Sequence, residues 1–435
     1  MLVLLFVIFL VLLAFGVELF YAMGIASLVY LLVVSAGLTG GQMPLPLTLI
    51  PQQFMEGVDS FPLLSVPMFL LAGELMSRGG VTQRLVMFAS VLVGHIRGGL
   101  AQVSIVANLI MSGMSGSAVA DAAATGSLLI PGMIKKGYSP EYASAIIASA
   151  ATMGPIIPPS LLMVIIGSMV SVSVGQLFVG GIIPGLVMAL AMMILVYRFA
   201  KRNNLPVEPR ATVPQFFRSL WDSALALIMP IIILGSILTG FATPTEASVV
   251  AVVYAFVVGK FIYREFRMSE VPEMLVSVSV ISAAVMVTVA SAQLFGWICT
   301  AEGLGNLISN WLTGVSTNPA VILLLINIVL LLLGTAMEPI PIMLITLPIL
   351  FPVVTKLGVD PVHFGVVVTL NVMIGTLTPP VGTNIFVASA ISGAPVGKVF
   401  YAARGFIWTL VLVLMLITYI PALVTWLPRL IYGGN

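Results

Sequence analysis

The sequence predicts an all-α polytopic membrane protein, built as an inverted repeat with two re-entrant helical hairpins and two broken helices. Three observations predict it. Of 435 residues, 60% are hydrophobic and only 7% charged, whereas soluble domains carry roughly 25% charged residues. Many apolar runs approach the ~20 residues needed to cross a bilayer, and runs such as 321–333 lack the alternation of barrel strands. Finally, Gly154-Pro155-Ile156-Ile157-Pro158-Pro159 and Gly375-Thr376-Leu377-Thr378-Pro379-Pro380 are the same interruption, 221 positions apart. The register also pairs Gly113 with Gly334, Pro131 with Pro352, Lys135 with Lys356, Gly137 with Gly358 and Pro140 with Pro361. Paired interruptions in corresponding hydrophobic segments point to the central site of a secondary transporter.

Residues 2–38 are apolar except for Glu18, and Gly16 and Gly24 predict one bent span or two short ones. No Lys or Arg occurs over residues 1–17, so a retained helix is expected rather than a cleavable signal. Residues 40–60 are expected to be a loop, and 61–76 to cross and stop at Arg78-Gly79-Gly80. The stretch 82–95 is too short to cross comfortably and is assigned to the interface. Residues 98–133 break at Ser112–Ser117 into arms of about 15 residues, half a bilayer-plus at ~1.5 Å per residue, which predicts a re-entrant hairpin. A helix over 139–169 is interrupted at 154–160, and 176–199 crosses. Next come a polar linker (201–218), an interfacial stretch (216–221) and two spans (223–240 and 248–263). The second half repeats the plan with 274–298, a short 304–312, a hairpin over 320–351, a broken helix over 363–391 and a last span over 406–426. The chain thus divides into N-terminal scaffold helices and loop (1–60), a first repeat (61–200), a cytoplasmic linker with interfacial helix (201–221), a scaffold pair (222–267) and a second, inverted repeat (268–435).

Basic residues set the orientation. Arg78, Arg84, Arg97, Lys135, Lys136, Lys201 and Arg202 all fall on the cytoplasmic side of one consistent threading, and Lys260, Arg264 and Arg267 return to it. Counting crossings from there, the second hairpin enters from the opposite face, where only Glu302 and Lys356 flank it. Lys398 and Arg404 land inside again.

Composition also excludes functions. One cysteine (Cys299) and two histidines (His95, His363) rule out a disulfide framework and argue against a metal cluster. These residues are too few and too dispersed for a nucleophile and its base, so neither an enzyme nor an enzymatic cofactor is expected. The net charge of +2 comes with no basic tract suited to nucleic acid.

Proline removes a backbone donor and clashes with the preceding turn. Pro158-Pro159 and Pro379-Pro380 therefore free carbonyls that must be packed in protein or line a wet cavity. Freed carbonyls with hydroxyls form an all-oxygen site for a hard cation, and half-helix N-termini offer amides to an anion. Ser160, Thr376, Thr378, Thr383 and Asn384 add oxygen at the breaks. A purely mechanical kink explains one Pro-Pro well and a matched pair poorly. At the hairpin tips Ser117 pairs with Glu338, and Asp121 lies one turn beyond Ser117. An intramembrane acid is a functional candidate; the alternative is a helix-capping acid. Thr243-Pro244-Thr245-Glu246 is predicted to be a structural helix start.

Four motifs then resemble the large transmembrane subunit of TRAP (tripartite ATP-independent periplasmic) transporters. They are Ser115-Gly116-Ser117-Ala118-Val119-Ala120-Asp121, Gly154–Ser160, Gly240–Ala247 and Thr378-Pro379-Pro380-Val381-Gly382-Thr383-Asn384. The resemblance implies a multi-pass protein of a bacterial or archaeal cytoplasmic (inner) membrane with an elevator-type, ion-transporter-like fold. It implies sodium-coupled import of a small organic anion: a C4-dicarboxylate, sialic acid or other acid sugar. A periplasmic substrate-binding protein would deliver the anion, and a small four-helix membrane subunit, expected as a separate chain, would brace this one among membrane lipid. Sodium, the only metal implied, would sit at Ser115, Gly116, Ser117, Gly154, Pro155 and Pro158, and at Gly334, Thr335, Glu338, Gly375, Thr376, Thr378 and Pro379. The substrate would meet Asp121, Ser117, Ser160, Thr383 and Asn384. A stand-alone divalent-anion/sodium symporter would share the two-hairpin plan, but such carriers usually show Ser-Asn-Thr at both tips, and this chain has it at neither. A passive channel has no need of two opposed hairpins.

Overall fold

A computed structural model describes residues 2–36, 46–203, 209–316 and 318–433. Part of the expected 40–60 loop and the middle of the 201–218 linker lie outside these residues. The described chain is helical, without strands.

The first segment is two helices, α1 (Leu2–Ala14) and α2 (Leu19–Ser35). They part at Gly16, whose φ of 77° is the left-handed conformation that glycine tolerates, while Gly24 sits inside α2. A helix, α3 (Leu49–Val58), stands where a loop was expected. Pro51 falls in its first turn, where a missing N–H breaks no intrahelical bond. The side chain that Gly57 lacks leaves room for Ala290 and Gln293 of α13 (Val271–Ala301). After a 3-10 turn at Phe61–Leu64, α4 (Ser65–Arg78) continues the span at a 57° bend.

Then follow α5 (Val81–Val93), the hairpin α6 (Gly99–Ser115) and α7 (Ala118–Lys135), the broken helix α8 (Pro140–Ala151) and α9 (Leu161–Val170), and the long α10 (Val174–Arg202). The second half opens with α11 (Val213–Leu238) and α12 (Pro244–Val257). The 216–221 stretch is the first turns of α11, not a separate interfacial helix, because the Thr212–Gln215 capping box starts one continuous helix there. Thr243 caps α12 in a box with Glu246, as its sequence predicts. After α13 come α14 (Leu304–Val315), the second hairpin α15 (Pro319–Ala336) and α16 (Pro339–Lys356), and the broken helix α17 (Pro361–Gly375) and α18 (Thr383–Ser392). The last span is α19 (Val396–Tyr419); it stops short of Pro421, so Trp426 belongs to a further helix, α20 (Ala422–Tyr432).

The bounds of α7 shifted by 221 are those of α16. The same shift carries α3 with α4 onto α13, and α2 onto the stretch of α12. The duplication therefore spans nearly the whole chain; α13 is the unbent counterpart of the bent α3–α4 pair. Five segments of the first repeat (α1, α2, α3 with α4, α8 with α9, and α10) have counterparts in the second (α11, α12, α13, α17 with α18, and α19); an odd number of crossings per repeat is what an inverted repeat requires. The repeats interlock reciprocally: α9 packs against α16, and α18 against α7 and α8. Ser144 Oγ of α8 donates to Ala388 O of α18 at 3.2 Å across that seam.

Hairpin arms are 17 or 18 residues long, against the 15 expected. Seven helices, α15 and α16 among them, and the bent α3–α4 pair are long and apolar enough to cross a membrane among the described residues. Length alone does not make these hairpins re-entrant; the position of their tips does.

Candidate functional site

At the first break mostly tight turn bonds follow Ala151: Met153 N donates to Ala150 O (3.2 Å), Gly154 N to Ala151 O (3.0 Å) and Ile156 N to Met153 O (2.9 Å), with a single α-type bond from Ile157 N to Met153 O (3.0 Å). Pro158 and Pro159 bring no N–H, and their shared peptide is cis, as is Pro379-Pro380. Ser160 Oγ donates to Pro155 O (2.5 Å) and accepts from Met163 N (3.2 Å), so this hydroxyl closes the break and caps α9. The second break follows suit, with Thr376 Oγ1 donating to Met373 O (2.7 Å) and Thr378 Oγ1 to Gly375 O (2.8 Å). In each case the hydroxyl hydrogen is used locally and an oxygen lone pair remains free.

Each tip sits on the break of its own repeat. Gly116, at φ 60°, turns from α6 to α7, and a Cβ there would lie 2.6 Å from Pro159 O. Gly334 and Gly375 meet backbone to backbone; a Cβ on Gly375 would lie 2.5 Å from Gly334 Cα. Val381 N donates to Thr335 O (3.1 Å), tying the second tip to the second break.

Both tips also face one cavity of about 140 Å³. Its walls are Gly116–Val119 and Glu338–Ile340 from the tips, Pro155, Met373 and Thr376 from the breaks, and Leu161, Leu162, Thr383 and Asn384 from the starts of α9 and α18. Four helix N-termini (α7, α9, α16 and α18) thus converge on one space, whose lining contains no Lys or Arg. N-terminal amides and the positive end of the helix dipole favour an anion. Asn384 is fully buried; its Nδ2 donates to Ala148 O at 3.4 Å and its Oδ1 has no partner.

Of the residues singled out from sequence, Gly116, Ser117, Pro155, Glu338, Thr376, Thr383 and Asn384 line this cavity. Gly334, Thr335, Gly375 and Thr378 form the second tip–break seam, and Gly154 lies at the first beside Asp121 and Ala118. Glu338 precedes α16 at the exposed mouth and makes no side-chain capping bond. Pro158 is buried behind the wall, and Pro379 is exposed. Asp121 and Ser160 are not brought to the cavity: Ser160 is committed to the break, and Asp121 is drawn to Ser115 on the far side of the first tip. There Ser115 Oγ donates to Asp121 Oδ1 at 2.5 Å, and Asp121 lines a separate cavity of about 580 Å³ between α4, α7 and α13.

Two features had little sequence signal. The amides at Leu161, Leu162 and Ile340 are backbone groups under apolar side chains, invisible to a search for polar residues. Asn371 Nδ2 bonds Asn327 Oδ1 (2.8 Å), and Asn327 Nδ2 bonds Thr418 Oγ1 (3.0 Å), clamping α17 to α15 and α19. Asn327, alone in an apolar run, was the available clue.

Residues 6–423 match the family described as Tripartite ATP-independent periplasmic transporter, DctM component. The C4-dicarboxylate TRAP transporter large permease protein DctM of Pseudomonas aeruginosa is 41% identical over 377 residues, covering 87% of this chain and 88% of the relative. The sialic acid TRAP transporter large permease protein SiaM of Vibrio cholerae is 40% identical over 382 residues, covering 88% and 90%. The crystal structure of the Alcanivorax borkumensis YdaH transporter superposes with a TM-score of 0.67 over 94% of this chain and 98% of that one, at 15% identity, a likeness of fold alone.

Proposed function

The chain belongs to the DctM component of the tripartite ATP-independent periplasmic transporters, multi-pass permeases of the bacterial inner membrane and not enzymes, and from that premise we propose that it imports a small organic anion together with sodium. The observation that carries this reading is the single cavity between both tips and both breaks. Converging helix N-termini supply the positive potential that an anion needs without an Arg clamp. Two similar relatives are named for a C4-dicarboxylate and for sialic acid, both carboxylates. The cavity, about 140 Å³, is smaller than the roughly 300–1,000 Å³ of pockets for drug-sized ligands, which favours an anion of a few carbons over a sugar acid.

Sodium is favoured over protons because the tip–break seams offer mainly neutral oxygens: Ser115 and the Gly154–Pro158 carbonyls at one, Thr335, Thr376 and Thr378 with the Gly334–Gly375 carbonyls at the other. Hard cations take such oxygen ligands. For the motion we favour an elevator. The hairpins and broken helices interlock across the repeats, and in this reading they move as one body against α2, α4, α12 and α13. A tripartite system further implies a periplasmic binding protein that delivers the anion and a small membrane subunit that braces the scaffold.

The test is uptake by proteoliposomes holding this chain with its small subunit, supplied with loaded binding protein. An inward sodium gradient at equal pH is expected to drive uptake at least tenfold above a pH gradient without sodium. Uptake that follows the pH gradient and ignores sodium refutes the coupling.

A further inference from the structure

We propose that Asp121 is a positioning residue for the sodium at the first hairpin, acting through Ser115 and never touching the anion; this rests on the sodium coupling proposed above. Asp121 is wholly buried in the first turn of α7, and its Oδ2 has no hydrogen-bond partner. Its Oδ1 accepts from Ser115 Oγ at 2.5 Å, and among the described residues no cationic side chain pairs with it. Oδ2 faces the first break: a Cβ added to Gly154 would lie 2.8 Å from it. A buried carboxylate needs a counter-charge, and the helix N-terminus offers only a partial one.

Ser115 supplies the link. Its hydrogen goes to Asp121 and one lone pair accepts Ser117 N–H at 3.2 Å, which leaves one lone pair for a cation. A hydroxyl donating to a carboxylate is a more basic ligand, as outer partners make metal-bound groups elsewhere. The cavity beyond Asp121 points the same way, since its polar lining is Glu74, Ser77, Ser115, Ser117, Asp121 and Ser277, with no Lys or Arg. Glu74 there is paired with Arg78 at 2.7 Å, so Asp121 is the one unpaired carboxylate of that lining, and it favours a cation over an anion. The anion's side of this tip is the central cavity, from which Asp121 is absent.

The test measures sodium binding to the purified complex, without any anion, as thermal stabilisation in sodium chloride against choline chloride. Asp121→Asn is expected to raise the half-maximal sodium concentration at least tenfold, and Ser115→Ala to do the same. Because the two act as one unit, adding Asp121→Asn to Ser115→Ala should change it less than twofold. In proteoliposomes at saturating sodium, Asp121→Asn should leave the KM for the anion within twofold. A raised anion KM with an unchanged sodium midpoint overturns the proposal, as do fully additive effects. Asp121→Glu, which keeps the charge but displaces it, serves if Asp121→Asn does not insert: a raised sodium midpoint supports the proposal, an unchanged one overturns it. Sodium-insensitive melting of the wild-type complex, with uptake also indifferent to sodium, would instead defeat the coupling itself.

Discussion

Gly375→Ala is expected to cut uptake to about one hundredth of wild type while the protein still inserts. Gly375 and Gly334 touch through their backbones, and the added methyl carbon would lie 2.5 Å from Gly334 Cα and 2.7 Å from Gly334 O. Neither neighbour is the end of a flexible side chain, so the second tip must lift off the second break. Overpacking of this kind costs about 1–3 kcal/mol. At ~1.4 kcal/mol per tenfold, the upper end moves the seated hairpin from dominant to rare. Gly235→Ala is the control, because nothing lies within 4 Å of a Cβ there and the helix continues through it. Initial uptake rates, normalised to protein in the vesicles, decide the matter; equal rates for the two variants would show that the Gly334–Gly375 contact is dispensable.

Asn384→Asp is expected to raise the KM for the anion at least a hundredfold with little change in the sodium requirement. The substitution keeps shape and size but puts a carboxylate in the first turn of α18, inside the cavity where four helix starts converge. Like charges a few ångströms apart in a poorly solvated space repel by several kcal/mol. Asn384→Ala removes the amide without adding charge and should cost far less, about tenfold. Comparing the two separates repulsion of the cargo from loss of a hydrogen bond; matching effects would mean that charge at this position is irrelevant.

Much of this architecture was legible because glycine and proline act locally. The breaks at Gly154–Ser160 and Gly375–Pro380, the tips within Ser115–Asp121 and Gly334–Pro339, and the Thr243 cap all lie where the residues demand them. The extent of the duplication was harder to read. Pro62 and the 57° bend divide α3 from α4, whereas α13 runs straight through the equivalent stretch, so matching segments look unlike. Pro51 disguised α3 as a loop, although a proline in the first turn is compatible with a helix.

The candidate site was legible in its polar residues and hidden in its backbone. Thr376, Thr383 and Asn384 stand out by composition, whereas the amides above Leu161 and Ile340 do not. Asp121 is legible in sequence but its place is not. One turn beyond Ser117, its chemistry suggests a place beside the substrate. Tertiary packing holds it against Ser115 and Gly154, in a cavity that shares Ser117 and Val119 with the central one but is otherwise lined by other residues.

The central claim is that the space between the two tips and the two breaks holds the anion, and cysteine protection tests it most directly. In a Cys299→Ser background, which removes the only native thiol, Thr383→Cys and Ser117→Cys would each be labelled by a small water-soluble thiol reagent. Sodium and anion together should slow labelling at both positions at least tenfold, with Ser168→Cys outside the cavity unaffected. Labelling of Thr383→Cys and Ser117→Cys at the same rate with and without the anion, in vesicles that still accumulate it, would contradict the account.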